Sequence, residues 1–88
     1  MAQMEVHGEV TSPQTLGRLL CQARMSTGMS QRELAERLGI SQRYVWEMEA
    51  GKPSLYTDRL FAFMRATDMR LTATLTIDDR LFDERPAR

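Results

Sequence analysis

Apolar positions along this chain recur first at helical spacing and later at strand spacing. Leu16, Leu19, Leu20 and Ala23 mark one face of a first helix, which Ser12 caps, Pro13 opens and Gly28 closes. Ser30 and Glu33 form a capping box for a second helix, Gln31 to Leu38, with Leu34, Ala35 and Leu38 turned inward and Gly39 at its end. Only eleven positions after Ser30, Ser41 caps a third helix, Gln42 to about Ala50, which Gly51 and Pro53 terminate. Val45 and Met48 fall on its inner side, whereas Arg43, Trp46, Glu47 and Ala50 turn outward. A fourth helix is predicted from Ser54 or Leu55 to Thr67, drawing its buried residues from Leu60, Phe61, Phe63 and Met64.

From Arg70 to Ile77 the period becomes two, with Leu71, Ala73, Leu75 and Ile77 on one face and Arg70, Thr72, Thr74 and Thr76 on the other. A lone strand exposes a row of unpaired backbone groups. Pairing with the same strand of a second subunit would satisfy it and give a two-fold dimer; packing against its own helices is the alternative. The expected division is a polar N-terminal tail at 1–12, a helical domain at 13–69, a dimerisation strand at 70–77 and a polar C-terminal tail at 78–88 that the apolar pair Leu81 and Phe82 interrupts. The fold class is therefore mainly α, four or so helices with a C-terminal β-strand.

Composition narrows the function classes. A chain of 88 residues makes one domain, of a size that buries only about 60% of its unfolded surface, so association would relieve a marginal core. With 42% hydrophobic and 27% charged residues and no long apolar run, a membrane partner is excluded and a cytoplasmic protein without a signal peptide is expected. One cysteine, Cys21, and one histidine, His7, allow no internal disulfide and no zinc site, so neither metal nor cofactor is expected. No nucleophile–base pair or glycine-rich phosphate loop assembles, which argues against an enzyme. Net charge is zero, yet residues 11–70 carry nine basic and six acidic side chains and the two ends carry the compensating carboxylates.

Two short helices joined by the tight turn Gly39-Ile40-Ser41 form a helix-turn-helix, whose second helix enters the DNA major groove while the first crosses the backbone. The stretch GMSQRELAERLGISQRYVWEMEAGKPS, Gly28 to Ser54, with Arg24 before it, resembles the lambda-repressor-like, XRE-type helix-turn-helix family over roughly residues 15 to 69. Within that family the closest likeness is to HipB-type antitoxins, because a short helical domain is followed at once by the strand RLTATLTI. The resemblance implies base-edge contacts from Gln42, Arg43 and Glu47, for which glutamine suits adenine, arginine guanine and glutamate the cytosine amino group. It implies phosphate contacts from Gln31 and Lys52, with Arg32 and Tyr44 adding to the backbone grip. Arg24 and Glu49 match positions that form a buried ion pair in the family. Trp46 departs from the small or polar residue usual at its position; either it packs on a thymine methyl or sugar, or it folds back over the fourth helix.

The resemblance thus implies a homodimeric repressor of an inverted-repeat operator in double-stranded DNA, the antitoxin of a toxin–antitoxin module that autoregulates its operon and holds a kinase-like toxin. A stand-alone XRE-type regulator, or a protein-interaction module without DNA binding, are the competing readings.

Overall fold

The computed structural model describes residues 3–78, in the order β1 (Gln3–Glu9), α1 (Pro13–Ser26), α2 (Gln31–Leu38), α3 (Gln42–Ala50), α4 (Leu55–Ala66) and β2 (Thr72–Asp78). Leu81 and Phe82 lie outside the described residues. Each helix starts on a serine whose hydroxyl accepts from the backbone N–H three residues on, at Thr15, Glu33, Tyr44 and Thr57. At α1, α2 and α4 the third helical residue returns the bond to the cap's own N–H, closing a capping box. Such caps matter because helices of eight to fourteen residues are too short to persist alone in water.

The N-terminal segment is a strand, not the polar tail expected at 1–12. β1 pairs antiparallel with β2 from Gln3 opposite Asp78 to Glu9 opposite Thr72. The strand therefore finds its partner within its own chain, and pairing between subunits is not what satisfies this edge. The physical reason is the alternation Met4, Val6, Gly8, Val10, which matches Leu71, Ala73, Leu75 and Ile77 across the pair; Gly8, with no side chain, makes it weak as a sequence signal. The apolar face turns toward the helices, with Val10 and Ile77 buried and Ala73 packed on the core, while Leu71 precedes β2 and is exposed.

The register also determines which backbone groups are free. The Val10 N–H donates to the Leu71 carbonyl at 2.8 Å, so hydrogen-bonded pairs fall at every second position, Gly8 with Ala73, Val6 with Leu75 and Met4 with Ile77. Glu5, His7 and Glu9 on β1, and Thr72, Thr74 and Thr76 on β2, accordingly aim their N–H and C=O groups at the two outer edges of the sheet.

Val10, Phe61 and Met64 form the buried cluster that joins sheet, α1 and α4, with Leu16 and Leu19 packed on it. Of the four apolar residues offered for α4, Phe61 and Met64 are buried and Leu60 and Phe63 are exposed. Ala35 and Val45 are buried at the α2–α3 turn. Leu20, Leu38 and Met48 are more exposed than their helical spacing implies: they rim a shallow apolar groove of about 270 Å³ between α1, α2 and α3, because helices this short enclose a narrow interior.

α1 and the end of α3 approach backbone to backbone. A methyl group on Gly17 would lie 2.5 Å from the Glu49 carbonyl oxygen and 2.8 Å from the Gly51 nitrogen. Gly51 itself has φ of 70° and would press a methyl to within 2.6 Å of the Pro13 carbonyl oxygen, so it combines a left-handed backbone with a contact that no side chain fits. Gly17→Ala is expected to lower stability by about 1 to 3 kcal/mol, the usual cost of overpacking, as read by thermal or urea unfolding.

Candidate nucleic-acid interface

A polar hub places the third helix. The Arg24 Nε donates to Glu49 Oε2 at 2.6 Å and its Nη2 to Glu49 Oε1 at 3.1 Å, a bidentate pair between α1 and α3. Arg24 Nη1 donates to the Met29 carbonyl oxygen at 2.8 Å, tying down the α1–α2 loop. Gln31, at the first position of α2, donates through Nε2 to Glu49 Oε1 at 3.0 Å. Three helices and a loop therefore meet at one carboxylate–guanidinium pair, whose side chains are only 13% and 8% exposed for Arg24 and Glu49. The hydrogen bonds from Arg24, followed by the one from Gln31, hold the Glu49 carboxyl below its ordinary range against the opposing effect of burial; the bond to Glu49 raises Arg24 in turn. Cys21 lies against the hub, its sulfur 3.7 Å from Arg24 Nη2.

With Glu49 and Val45 on its inner side, α3 presents Gln42, Arg43, Tyr44, Trp46 and Ala50 to solvent. Gln31, Gln42, Arg43 and Trp46 line one shallow cleft of about 390 Å³ where the starts of α2 and α3 meet. On the other flank of α3, Tyr44, Glu47 and Lys52 line a second groove with Pro53, Ser54 and Thr57 at the entry to α4. Trp46 therefore stands on the α2 side and does not fold over α4. Between the flanks, Glu47 Oε2 accepts from Arg43 Nε at 3.3 Å and from Lys52 Nζ at 3.4 Å.

The structure thus brings Gln42, Arg43, Trp46, Tyr44 and Lys52 to the exposed side of α3 and the loop after it, with Glu47 half-buried among them. Arg32 stands apart on α2, where it is exposed and faces Glu36 one turn on at 3.9 Å. The Gln31 side-chain nitrogen is engaged by Glu49 while the residue also lines the cleft with Gln42, Arg43 and Trp46, which makes it a link between the hub and the exposed side of α3, a role spacing does not reveal. The proposed dimer residues Ala73, Leu75 and Ile77 turn toward their own helices. The opposite sheet face, where His7 Nδ1 lies 3.1 Å from Thr74 Oγ1, is polar. The Met4-Val6-Gly8-Val10 alternation is the signal that could have disclosed it.

The family model described as a helix-turn-helix domain matches residues 15–74, a span from the first turn of α1 into β2. No curated protein and no solved structure gives a significant match. Among the described residues no helix is long and apolar enough to cross a membrane.

The hub carries a pH prediction. Because the folded-state pKa of Glu49 is depressed, its contribution to stability is present above the unfolded carboxylate pKa, about 4, and is lost as pH falls through the lower folded value. Glu49→Gln, which leaves Arg24 without its counter-charge, is expected to cost about 3 kcal/mol at neutral pH. Urea unfolding across the acid range should show the wild-type advantage shrinking as pH falls toward about 3.

Proposed function

The chain belongs to the helix-turn-helix domain family, and from that premise we propose that it is a sequence-specific DNA-binding repressor that works as a homodimer on an inverted-repeat operator. The observation that carries this reading is the division of labour on α3: Glu49 and Val45 anchor one side, and Gln42, Arg43 and Trp46 are exposed on the other beside the start of α2. A helix held that way can enter the major groove while α2 crosses the backbone. In this reading Gln42 pairs with adenine, Arg43 with guanine and Glu47 with a cytosine amino group, and Trp46 packs on a thymine methyl. Lys52, Arg32, Tyr44 and the N-terminal end of α2 at Gln31 grip phosphates.

The dimer is proposed to form at the outer edge of β2. A two-fold antiparallel pairing about Thr74 sets threonines opposite threonines, whereas the same pairing on the β1 edge about His7 would set Glu5 opposite Glu9 of the other copy. The threonine-lined edge is thus the one that favours addition of a strand, producing a four-stranded sheet. Two recognition helices about 34 to 36 Å apart would then read two half-sites.

The finer identity we propose is the antitoxin of a toxin–antitoxin module, repressing its own operon together with a kinase-like toxin; it is supported by β2 following the helical domain at once. A stand-alone regulator is the second reading, favoured by β1, which already satisfies one edge of β2 without another chain. Co-purification with the product of an adjacent gene separates the two.

Titration of the protein against a duplex from its own promoter and an unrelated duplex, by fluorescence anisotropy at two salt concentrations, tests the repressor reading. Selective, salt-sensitive binding is expected, with Arg43→Ala losing about 1 to 3 kcal/mol on the promoter duplex and much less on the other. Equal weak binding to both overturns it. For the dimer, Thr74→Pro removes an N–H that the chain's own sheet does not use; sedimentation should show a monomer, whereas His7→Pro on the β1 edge should leave the dimer intact. A Thr74→Pro protein that stays dimeric overturns the β2 edge.

A further inference from the structure

A carboxylate in the middle of a surface meant for a polyanion needs a physical reason. Glu47 lies on the exposed flank of α3, yet its side chain is only 25% exposed because Arg43 and Lys52, at 78% and 59%, close over it. Both cations meet the same atom, Oε2, at 3.3 and 3.4 Å. Among the described residues Oε1 accepts no hydrogen bond, and Arg43 engages Glu47 through Nε, with its two terminal nitrogens unpaired.

We propose that Glu47 is a specificity-determining residue that weakens binding to DNA lacking its base partner, through the carboxylate it places between Arg43 and Lys52. The inference rests on the repressor reading and gives that surface its means of discrimination. Sequence-independent affinity grows with the number of cations that displace counterions from phosphates. One carboxylate shared by two cations reduces what Arg43 and Lys52 offer to any backbone, in a chain whose net charge is zero and whose central segment has a surplus of only three. On a duplex that presents guanine O6 and N7, adenine N7 or thymine O4 at that level, Oε1 faces an acceptor and is repelled. A cytosine N4 amino group is a donor and satisfies it, as does an adenine N6 amino group turned toward it. Where such an amino group meets it, the carboxylate stops opposing the complex, and it holds the Arg43 fork ready for a neighbouring guanine. Discrimination therefore comes from penalising the wrong duplex as well as from gripping the right one.

The test compares wild type and Glu47→Gln on the same promoter and unrelated duplexes over a salt series, with unfolding curves confirming that the variant folds. The expected result is that Glu47→Gln binds the unrelated duplex at least about threefold more tightly and with a salt slope steeper by about one counterion. The promoter duplex should gain less or lose, so that the ratio between the two falls about tenfold, within the range of one base contact. Glu47→Ala, which has no hydrogen-bonding group, should shift unrelated-duplex binding in the same direction. Selective wild-type binding together with variants whose hold on unrelated DNA is unchanged or weaker overturns the role of Glu47 alone. A wild type that does not discriminate between the duplexes overturns the repressor reading and this role with it.

Discussion

Everything that positions the third helix runs through the pairing of Arg24 with Glu49. A nine-residue helix has too few internal hydrogen bonds to orient itself, and it cannot use its outer face for packing if that face is to read DNA. Its orientation must come from its inner side and its C-terminal end. Glu49 serves both: its carboxylate receives Arg24 and Gln31, and its carbonyl oxygen lies beneath Gly17. Desolvation offsets part of the attraction in a pair this shielded, and stability is not its only contribution. It specifies geometry. A bidentate fork admits one relative placement of α1 and α3, which a purely apolar contact between such small helices would leave free to slide.

The same shortage of interior accounts for the sheet. The helices alone bury few large side chains, and several that helical spacing points inward stay exposed at the rim of a shallow groove. β1 and β2 add Val10, Ala73 and Ile77 to the cluster around Phe61 and Met64, which joins both ends of the helical domain to one core. The two edges of this sheet differ in charge, acidic glutamates along β1 and threonines along β2. That asymmetry makes one edge self-repelling toward a second copy and leaves the other receptive, so a single feature both completes the fold and directs the proposed association.

Charge on the exposed side of α3 follows a similar economy. Two cations grouped about one carboxylate on α3 and its C-terminal loop give a small net surplus with well-defined directions. A surface dominated by unpaired lysines and arginines would bind any duplex, whereas one that partly neutralises itself gives more weight to the match between donors and acceptors in the groove. The zero net charge of the chain, which first reads as an argument against nucleic acid, fits a protein that draws its affinity from few, positioned contacts.

Local rules made the helical part legible. Serine caps, glycine ends and the eleven-residue spacing of Ser30 and Ser41 are read within one or two turns of chain, and they placed α2, the turn and α3 where the structure has them because capping and left-handed termini are decided by neighbouring residues. On α3 helical geometry turned Arg43, Trp46 and Ala50 outward as the structure has them, whereas Glu47 is half-buried and Met48, assigned to the inner side, is exposed. By contrast, β1 depended on a partner almost seventy residues away: its alternation is diluted by Gly8, and only the match with Ala73 opposite and Leu19 beneath makes a glycine suitable there. Which of Leu60, Phe61, Phe63 and Met64 enter the core and which flank Trp46 takes were likewise decided by tertiary structure. Each depends on what lies across from a side chain, and sequence spacing specifies only the direction in which that side chain leaves its own backbone.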